Sequence, residues 1–496
     1  MSLSGFLDYN EPLIDAVHRV LRAVRSTLRN YDYALLEPPV IDPADAFIER
    51  SGEAIRERMY LFEDEAGQNL CLRPEMTIPV SRALLRTGWR GEDAARIGYS
   101  GPVFRRDVDG PGGFKQFLQA GAECFGPGPR AYNEAEIVAM AISMLHGSGI
   151  KAARVRFGDV RLISRLMDRI GLPSHARRDA NWLSGQIAAW RNHALTERGI
   201  EQQAGARADL EFIRILKDLG TERATALISR FLQISGISVV GARPLEAIVE
   251  RLTAQLSATI PPLPDAIWQE ISALLALKAP AKEALGRIAQ AGASIGFETA
   301  DILHDFRHRF DVMGAAGLDL DTMTIEPGFL RAIEYYTGFV FEVAAEADGQ
   351  PAQLAGGGRY DALMSQLGGG VSSPAVGFAL HTERVMRAAD PSVFAKGSLA
   401  HGHPDVIVVA GPDADSMQCM QALQHLRQAG FRSSIAHRDP GPKQAAHATL
   451  FLENNGTIRQ RDERSGAVTS VTLDELSRMA PPARPSLGAE ARGQRP

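Results

Sequence analysis

Between residues 13 and 28 the apolar side chains Leu13, Ile14, Val17, Val20, Leu21, Val24 and Leu28 recur every three or four positions, with Asp15, Arg19, Arg22 and Arg25 between them. One face of a helix is thereby apolar and the other charged, the pattern of an amphipathic surface helix. It leads into Ala34-Leu35-Leu36-Glu37-Pro38-Pro39-Val40, whose paired prolines cannot continue a helix. From residue 59 short apolar runs predict strands over 59–62, 69–72 and 96–99, with Asp64-Glu65-Ala66-Gly67-Gln68 as the turn between the first two. Helical spacing resumes over 133–147 and 160–170, around a strand at 153–157.

From 173 to 300 Ala, Leu, Ile, Arg and Glu recur at helical period and strand-like runs nearly vanish, which predicts a helical insertion. It divides a first folded part, 1–172, from a second, 301–395, with a strand at 339–343 and helices at 361–367 and 379–387. Residues 396–403 read as a linker. A last piece, 404–478, opens on the continuous apolar strand 405–410, followed by a helix at 415–429, Gly430 as its C-cap and a strand at 431–436, a βαβ-like unit. Residues 479–496, rich in Pro, Ala, Gly and Arg, have the composition of a disordered tail.

Composition narrows the class. The chain has 496 residues, 45% hydrophobic and 23% charged, so it folds, and its length calls for more than one domain. Fifty-four basic against 59 acidic residues leave a net charge of −5, with no global basic field for nucleic acid. Cys71, Cys124 and Cys419 are far apart and have no metal-binding spacing, which excludes a disulfide scaffold and a thiolate metal site. The first ten residues lack a leader pattern and no run approaches the ~20 apolar residues of a membrane span. The expectation is a cytoplasmic protein with neither metal nor cofactor.

Four segments carry candidate chemistry. In Leu72-Arg73-Pro74-Glu75-Met76-Thr77, Glu75 can accept from a ligand ammonium or cap the helix that follows. In the second, Phe104-Arg105-Arg106-Asp107 is joined by a glycine loop to Phe114-Lys115-Gln116-Phe117-Leu118-Gln119-Ala120-Gly121-Ala122-Glu123, where Gln119, Gly121 and Glu123 share one strand face. This is either an anion-and-zwitterion site or an ordinary exposed hairpin. The third, Arg331 to Glu342, sets a guanidinium suited to a carboxylate beside Tyr335 and Tyr336, which can equally be core. The fourth joins Gly356-Gly357-Gly358-Arg359-Tyr360-Asp361 to Gly377-Phe378-Ala379-Leu380-His381-Thr382-Glu383-Arg384; a glycine run is weak evidence by itself.

In this order, with a helical insertion between the second and third, the segments resemble a histidyl-tRNA synthetase-type class II catalytic core from Leu13 to Arg387. The resemblance implies an α+β fold: a class II synthetase-like antiparallel sheet flanked by helices, with a helical insertion and a small C-terminal α/β domain. Residues 35–40 resemble motif 1, whose proline sits at the dimer interface; 104–126 resemble motif 2 and 377–384 motif 3. It further implies that Glu75, Thr77, Gln119 and Glu123 contact the amino and imidazole groups of histidine, that Tyr336 and Tyr360 line the pocket, and that Arg331 stands where an arginine assists adenylate formation. Arg105 and Arg384 match the arginines on ATP phosphate.

Departures from the synthetases cluster on the nucleotide side. The motif 2 loop, Gly-Arg-Tyr-Arg-Gln-Phe in the synthetases, is Gly112-Gly113-Phe114-Lys115-Gln116-Phe117, and Lys115 cannot reproduce a guanidinium fork. In motif 3 the glycine near bound nucleotide is His381, whose ring intrudes on the space ATP needs. Loss of one preorganised charge typically costs ~3 kcal/mol or more of transition-state stabilisation. Residues 404–478 resemble a shortened anticodon-binding domain. The whole is similar to the synthetase-like regulatory subunits of ATP phosphoribosyltransferase, although these commonly lack a C-terminal domain. That resemblance implies a non-catalytic dimer assembling with a short-form catalytic subunit, with histidine as effector, no tRNA, and Arg105, Lys115, His381 and Arg384 as a vestigial nucleotide site. The competing expectation is a working histidine–tRNA ligase with a shortened anticodon-binding domain.

Overall fold

Among the described residues nine strands form one mixed sheet, in the order 34–35, 95–104, 116–125, 375–381, 350–359, 339–347, 154–159, 323–325 and 279–280. The structure, a computed structural model, describes residues 4–51, 58–106, 113–170, 215, 218–231, 264–331, 333, 335–347, 349–370, 372–394, 405–410, 416–436, 438–441, 448–452, 458–472 and 475. The chain divides into two units, 1–397 and 398–496. The first runs α1 (Leu13–Asn30), β1 (Ala34–Leu35), β2 (Ile41–Pro43), α2 (Asp45–Ser51), β3 (Tyr60–Glu63), β4 (Asn69–Leu72), α3 (Thr77–Arg86), β5 (Ala95–Phe104), β6 (Gln116–Phe125), α4 (Arg130–Gly147), β7 (Arg154–Asp159) and α5 (Val160–Arg169). It continues through α6 (Asp265–Leu275), β8 (Ala279–Pro280), α7 (Ala281–Ile295), α8 (Ala300–Ala315), β9 (Met323–Ile325), β10 (Phe339–Ala347), β11 (Gln350–Arg359), β12 (Ala375–His381) and α9 (Thr382–Ala389).

The apolar stripe of α1 is buried through Leu13, Val17, Val20, Val24 and Leu28, which join α4 and the back of the sheet in one core. The centre of the sheet is antiparallel: β5 pairs β6 over ten residues, β6 pairs β12, and β12, β11 and β10 follow in turn. A separate three-stranded sheet, β2-β4-β3, closes over one side and shares a second core with Tyr99, Phe117, Phe125 and Tyr360. The fold is therefore α+β, mixed sheets flanked by helices.

Two readings of the pattern are corrected here. The helix expected over 379–387 starts only at Thr382, because Ala379, Leu380 and His381 still pair with β6 and β11. In place of a helix over 361–367 there is a short irregular turn of helix at Ser365–Gly369. Gly356, Gly357 and Gly358, for which no element was expected, lie in β11. Most of the expected insertion, the expected linker 396–403 and the tail 479–496 lie outside the described residues. Within 264–300 the chain already serves the main sheet: β8 pairs β9, and Ile271, Leu274, Ala284 and Ile288 join its core.

In the second unit β13 (Val406–Ala410) pairs in parallel with β14 (Ser433–Ala436) and β15 (Ala448–Leu452), then β16 (Ile458–Asp462) and β17 (Val468–Val471) add on antiparallel. The helix α10 (Ser416–Gln428) packs Ala422, Leu423 and Leu426 on Val406 and Val408, and Gly430 takes φ 89°, the left-handed conformation of a helix C-terminus. Among the described residues no helix is long and apolar enough to cross a membrane.

Candidate functional site

The sheet buries a carboxylate at Glu123, 1% exposed near the end of β6. Thr77 Oγ1 donates to its Oε1 at 2.7 Å, the Tyr99 hydroxyl lies 2.9 Å from the same oxygen, and the Tyr360 hydroxyl donates to Oε2. Burial pushes the Glu123 carboxyl up to about 8, against the pull of these three hydroxyls. Glu75, 2% exposed, accepts from the Thr77 and Ile78 amides at 2.7 and 2.9 Å, so it caps α3, and burial raises its carboxyl too. Gln119 Oε1 accepts from the Met76 amide at 2.8 Å. Tyr335, Tyr336 and Tyr360 wall this end with ring centroids 5.0 to 6.4 Å apart.

Glycines make the room. A Cβ at Gly377 would fall 1.5 Å from Glu123 Oε2, and one at Gly121 would fall 2.0 Å from the Phe378 carbonyl and 2.7 Å from the Tyr99 hydroxyl. At Gly356 it would meet Arg331 at 1.8 Å, and at Gly358 the Phe339 carbonyl at 2.4 Å and the Tyr336 ring at 3.0 Å. A strand normally gains from branched and aromatic residues. Here the missing side chains are the volume into which the site's own side chains fold.

The other end is cationic. A cavity of about 240 Å³ is lined by Arg58, Arg105, Arg156, Arg331 and Arg384, together with Gln119, Phe117 and His381. Arg105 Nε donates to the Pro74 carbonyl at 3.0 Å, and its guanidinium stands 5.1 Å from the Phe117 ring centre. Gln353, its amide oxygen turned to the guanidinium, accepts from Arg331 at 2.9 and 3.2 Å, while Arg331 Nε is buried without a partner among the described residues. The His381 ring stacks on Phe117 at 3.9 Å with 4° between planes. Its Nδ1 accepts from the Arg384 amide at 3.4 Å and so caps α9, and burial lowers the imidazole to about 4.

Of the predicted residues, Gln119, Arg105, Arg331, His381 and Arg384 line the cavity, whereas Glu75, Thr77, Glu123, Tyr336 and Tyr360 form a packed cluster outside its lining, joined to it through Gln119. Lys115 is not among the cavity's lining residues; its amide donates to the Gly5 carbonyl at 2.7 Å and its side chain lies against Gly5. Sequence reasoning missed Tyr99, which reads as one apolar residue of a strand. It also missed Glu134, 1% exposed, which holds Arg309 and Arg359 and thereby the strand end that carries Tyr360; burial opposes its charge, but the two guanidinia bring its carboxyl down to about 2.

A family model described as histidyl-tRNA synthetase matches residues 5–225 and 203–385. The fold is shared with a protein titled ATP phosphoribosyltransferase regulatory subunit/histidyl-tRNA synthetase from Bacillus halodurans C, at TM-score 0.57 and 18% identity over 89% of this chain and 93% of that one. It is shared too with histidyl-tRNA synthetase from Nostoc sp. PCC 7120, at TM-score 0.59 and 15% identity over 96% and 99%. Fold and family model together make this a class II chain of the histidyl-tRNA synthetase type. Proteins named ATP phosphoribosyltransferase regulatory subunit from Chelativorans sp. (strain BNC1) and Agrobacterium fabrum are 32% and 33% identical to it, over 71% and 70% of this chain and 92% and 90% of theirs. Within the class, the chain belongs to the family of ATP phosphoribosyltransferase regulatory subunits.

Proposed function

We propose that this chain is a non-catalytic regulatory subunit that assembles, as a dimer through its class II core, with a short-form ATP phosphoribosyltransferase catalytic subunit in the cytoplasm, is needed for that subunit's activity, and relays feedback inhibition by histidine. The observation that carries the reading is His381. Its neutral ring fills the face of Phe117 inside the arginine-lined cavity, while the carboxylate end keeps Glu123 and its three hydroxyl partners. Such a cleft retains the means to hold an amino acid and gives up a planar base stacked on Phe117. Histidine would set its carboxylate on the Arg331 guanidinium, whose Nε has no partner among the described residues, and its cationic end toward Glu75 and Glu123. Bound there, it shifts the complex toward the conformation that holds it better.

The test mixes the purified chain with a short catalytic subunit. Phosphoribosyltransferase activity should appear only in the mixture and fall when histidine is added; no association and no activation overturn the reading. Histidine-dependent exchange of pyrophosphate into ATP by the chain alone, at a synthetase's rate, would overturn it as well.

A further inference from the structure

The ladder between β6 and β12 ends at the pair Gln119–His381, because the chain turns into α9 at Thr382. Ahead of that pair β12 no longer meets the amides of Lys115, Gln116 and Leu118. Residues 5–9 take its place. The Gly5 carbonyl accepts from Lys115 and Gln116 at 2.7 and 3.3 Å. Glu383, 0% exposed in α9, accepts from the Leu118 amide at 2.8 and 3.1 Å, and the Tyr9 hydroxyl donates to the same carboxyl group. Between these anchors the Phe6 ring stands 6.5 Å from that of Tyr60 in β3, and Leu7 packs against both cores of the first unit.

Both margins of this seam belong to the arginine-lined cavity. Phe117 and Gln119 flank Leu118, His381 and Arg384 bracket Glu383, and all four line the cavity. The stack of His381 on Phe117 crosses the seam, so parting it would break the stack and widen the space behind. As it stands the cavity, about 240 Å³, is smaller than the roughly 300–1,000 Å³ of most small-molecule sites. The segment that closes it is lightly held: Gly5, Phe6, Leu7 and Tyr9 are only half-buried, and residues 6–10 lie outside helix and strand. Segments with few buried contacts open at free energies well below that of global unfolding.

We propose that residues 5–9 are a strap that gates the arginine-lined cavity. Seated, they tie the β5–β6 hairpin to α9 and keep the Phe117–His381 stack closed. Lifted, they let the two margins part and the cavity open. The gate works in the same way whatever the cavity holds, so it stands apart from the regulatory reading.

Hydrogen exchange and arginine labelling of the full chain test it. In the unaltered chain the amides of Lys115, Gln116 and Leu118 should exchange together, and faster than those of Ala120 and Ala122 further along β6. Tyr9→Phe removes one bond to a buried carboxyl group and should speed that exchange about tenfold. Phenylglyoxal labelling of Arg331, read by peptide mass spectrometry, should quicken by a similar factor, while labelling of the exposed Arg90 stays as it was. Exchange of the three amides only in step with Ala120 and Ala122 overturns the proposal. So does a Tyr9→Phe variant that leaves both rates unchanged, or one that raises exchange along the whole of β6 alike. Should Tyr9→Phe fail to fold, the exchange pattern of the unaltered chain decides alone.

Discussion

The buried carboxylate cluster at one end of the site and the arginine-lined cavity at the other hold charge in opposite ways. Glu123 sits out of water and is tied by three side-chain hydroxyls from α3, β5 and the end of β11, so it has one position. Arg331 is half-buried, rests on Gln353 and lines the cavity, its Nε buried without a partner among the described residues, so its tip has room to move. A buried carboxylate demands a preformed shell, whereas a long guanidinium stem lets the chain adjust to what arrives. On the proposed reading, one end specifies the ligand and the other accommodates it.

The sharpest way to break that contrast is to fill the two glycines that serve the two ends. In Gly377→Ala the new methyl meets Glu123 Oε2 at 1.5 Å and the Ala122 carbonyl at 2.7 Å, and neither can retreat. A loss of about 3 kcal/mol is expected, a fall of several degrees in Tm, from overpacking and a broken buried network. In Gly356→Ala the methyl meets the tip of Arg331, which can swing into the cavity. Stability should drop by less than about 1 kcal/mol while affinity for a carboxylate ligand falls. Equal thermal melts of the two variants would erase the distinction.

What a single sequence discloses follows the same line. The stripe of α1 and the strands 69–72 and 96–99 were legible because burying one face imposes a period that side chains display. The strands β11 and β12 were not: Gly356, Gly357, Gly358 and Gly377 have no side chain with which to show a period, and their role lies in what the neighbouring strands place over them. Tyr99 is likewise silent until register sets it opposite Gly121 and beside Glu123. The candidate residues at the carboxylate end came from resemblance in motif order, since spacing alone left Glu75 equally a cap, and a cap is what its two backbone bonds make it. Lys115 shows the limit of such transfer, because a matching position did not put its side chain in the cavity.

A pH titration sharpens the carboxylate end. With its carboxyl near 8, Glu123 is mostly protonated at neutral pH, and a cationic group docking on it favours the ionised form, so binding releases a proton. Affinity for histidine should climb between pH 6.5 and 8, by at most about tenfold per unit, and level off above. Calorimetry in buffers of different ionisation enthalpy should register the released proton in the unaltered chain and not in Glu123→Gln. A pH-independent affinity would mean that the cationic group does not reach Glu123.

The smallest effect probes the arginine end through stability. Burial holds the folded His381 imidazole at about 4, below its ordinary 6.5. Between those values the unfolded chain binds the proton and the folded chain does not, so this residue withdraws stability as the pH falls from 6.5 toward 4, by at most about 1.4 kcal/mol per unit. In His381→Phe the ring remains on Phe117, the weak 3.4 Å cap to the Arg384 amide is lost, and the titration disappears. At pH 7.5 the variant should be slightly less stable than the unaltered chain, by less than about 1 kcal/mol. Near pH 5 the order should reverse, because only the unaltered chain pays to keep an imidazole neutral. Parallel denaturant melts at the two pH values check this, and curves that keep their order would mean that water reaches His381 and the stack on Phe117 is open to a ligand.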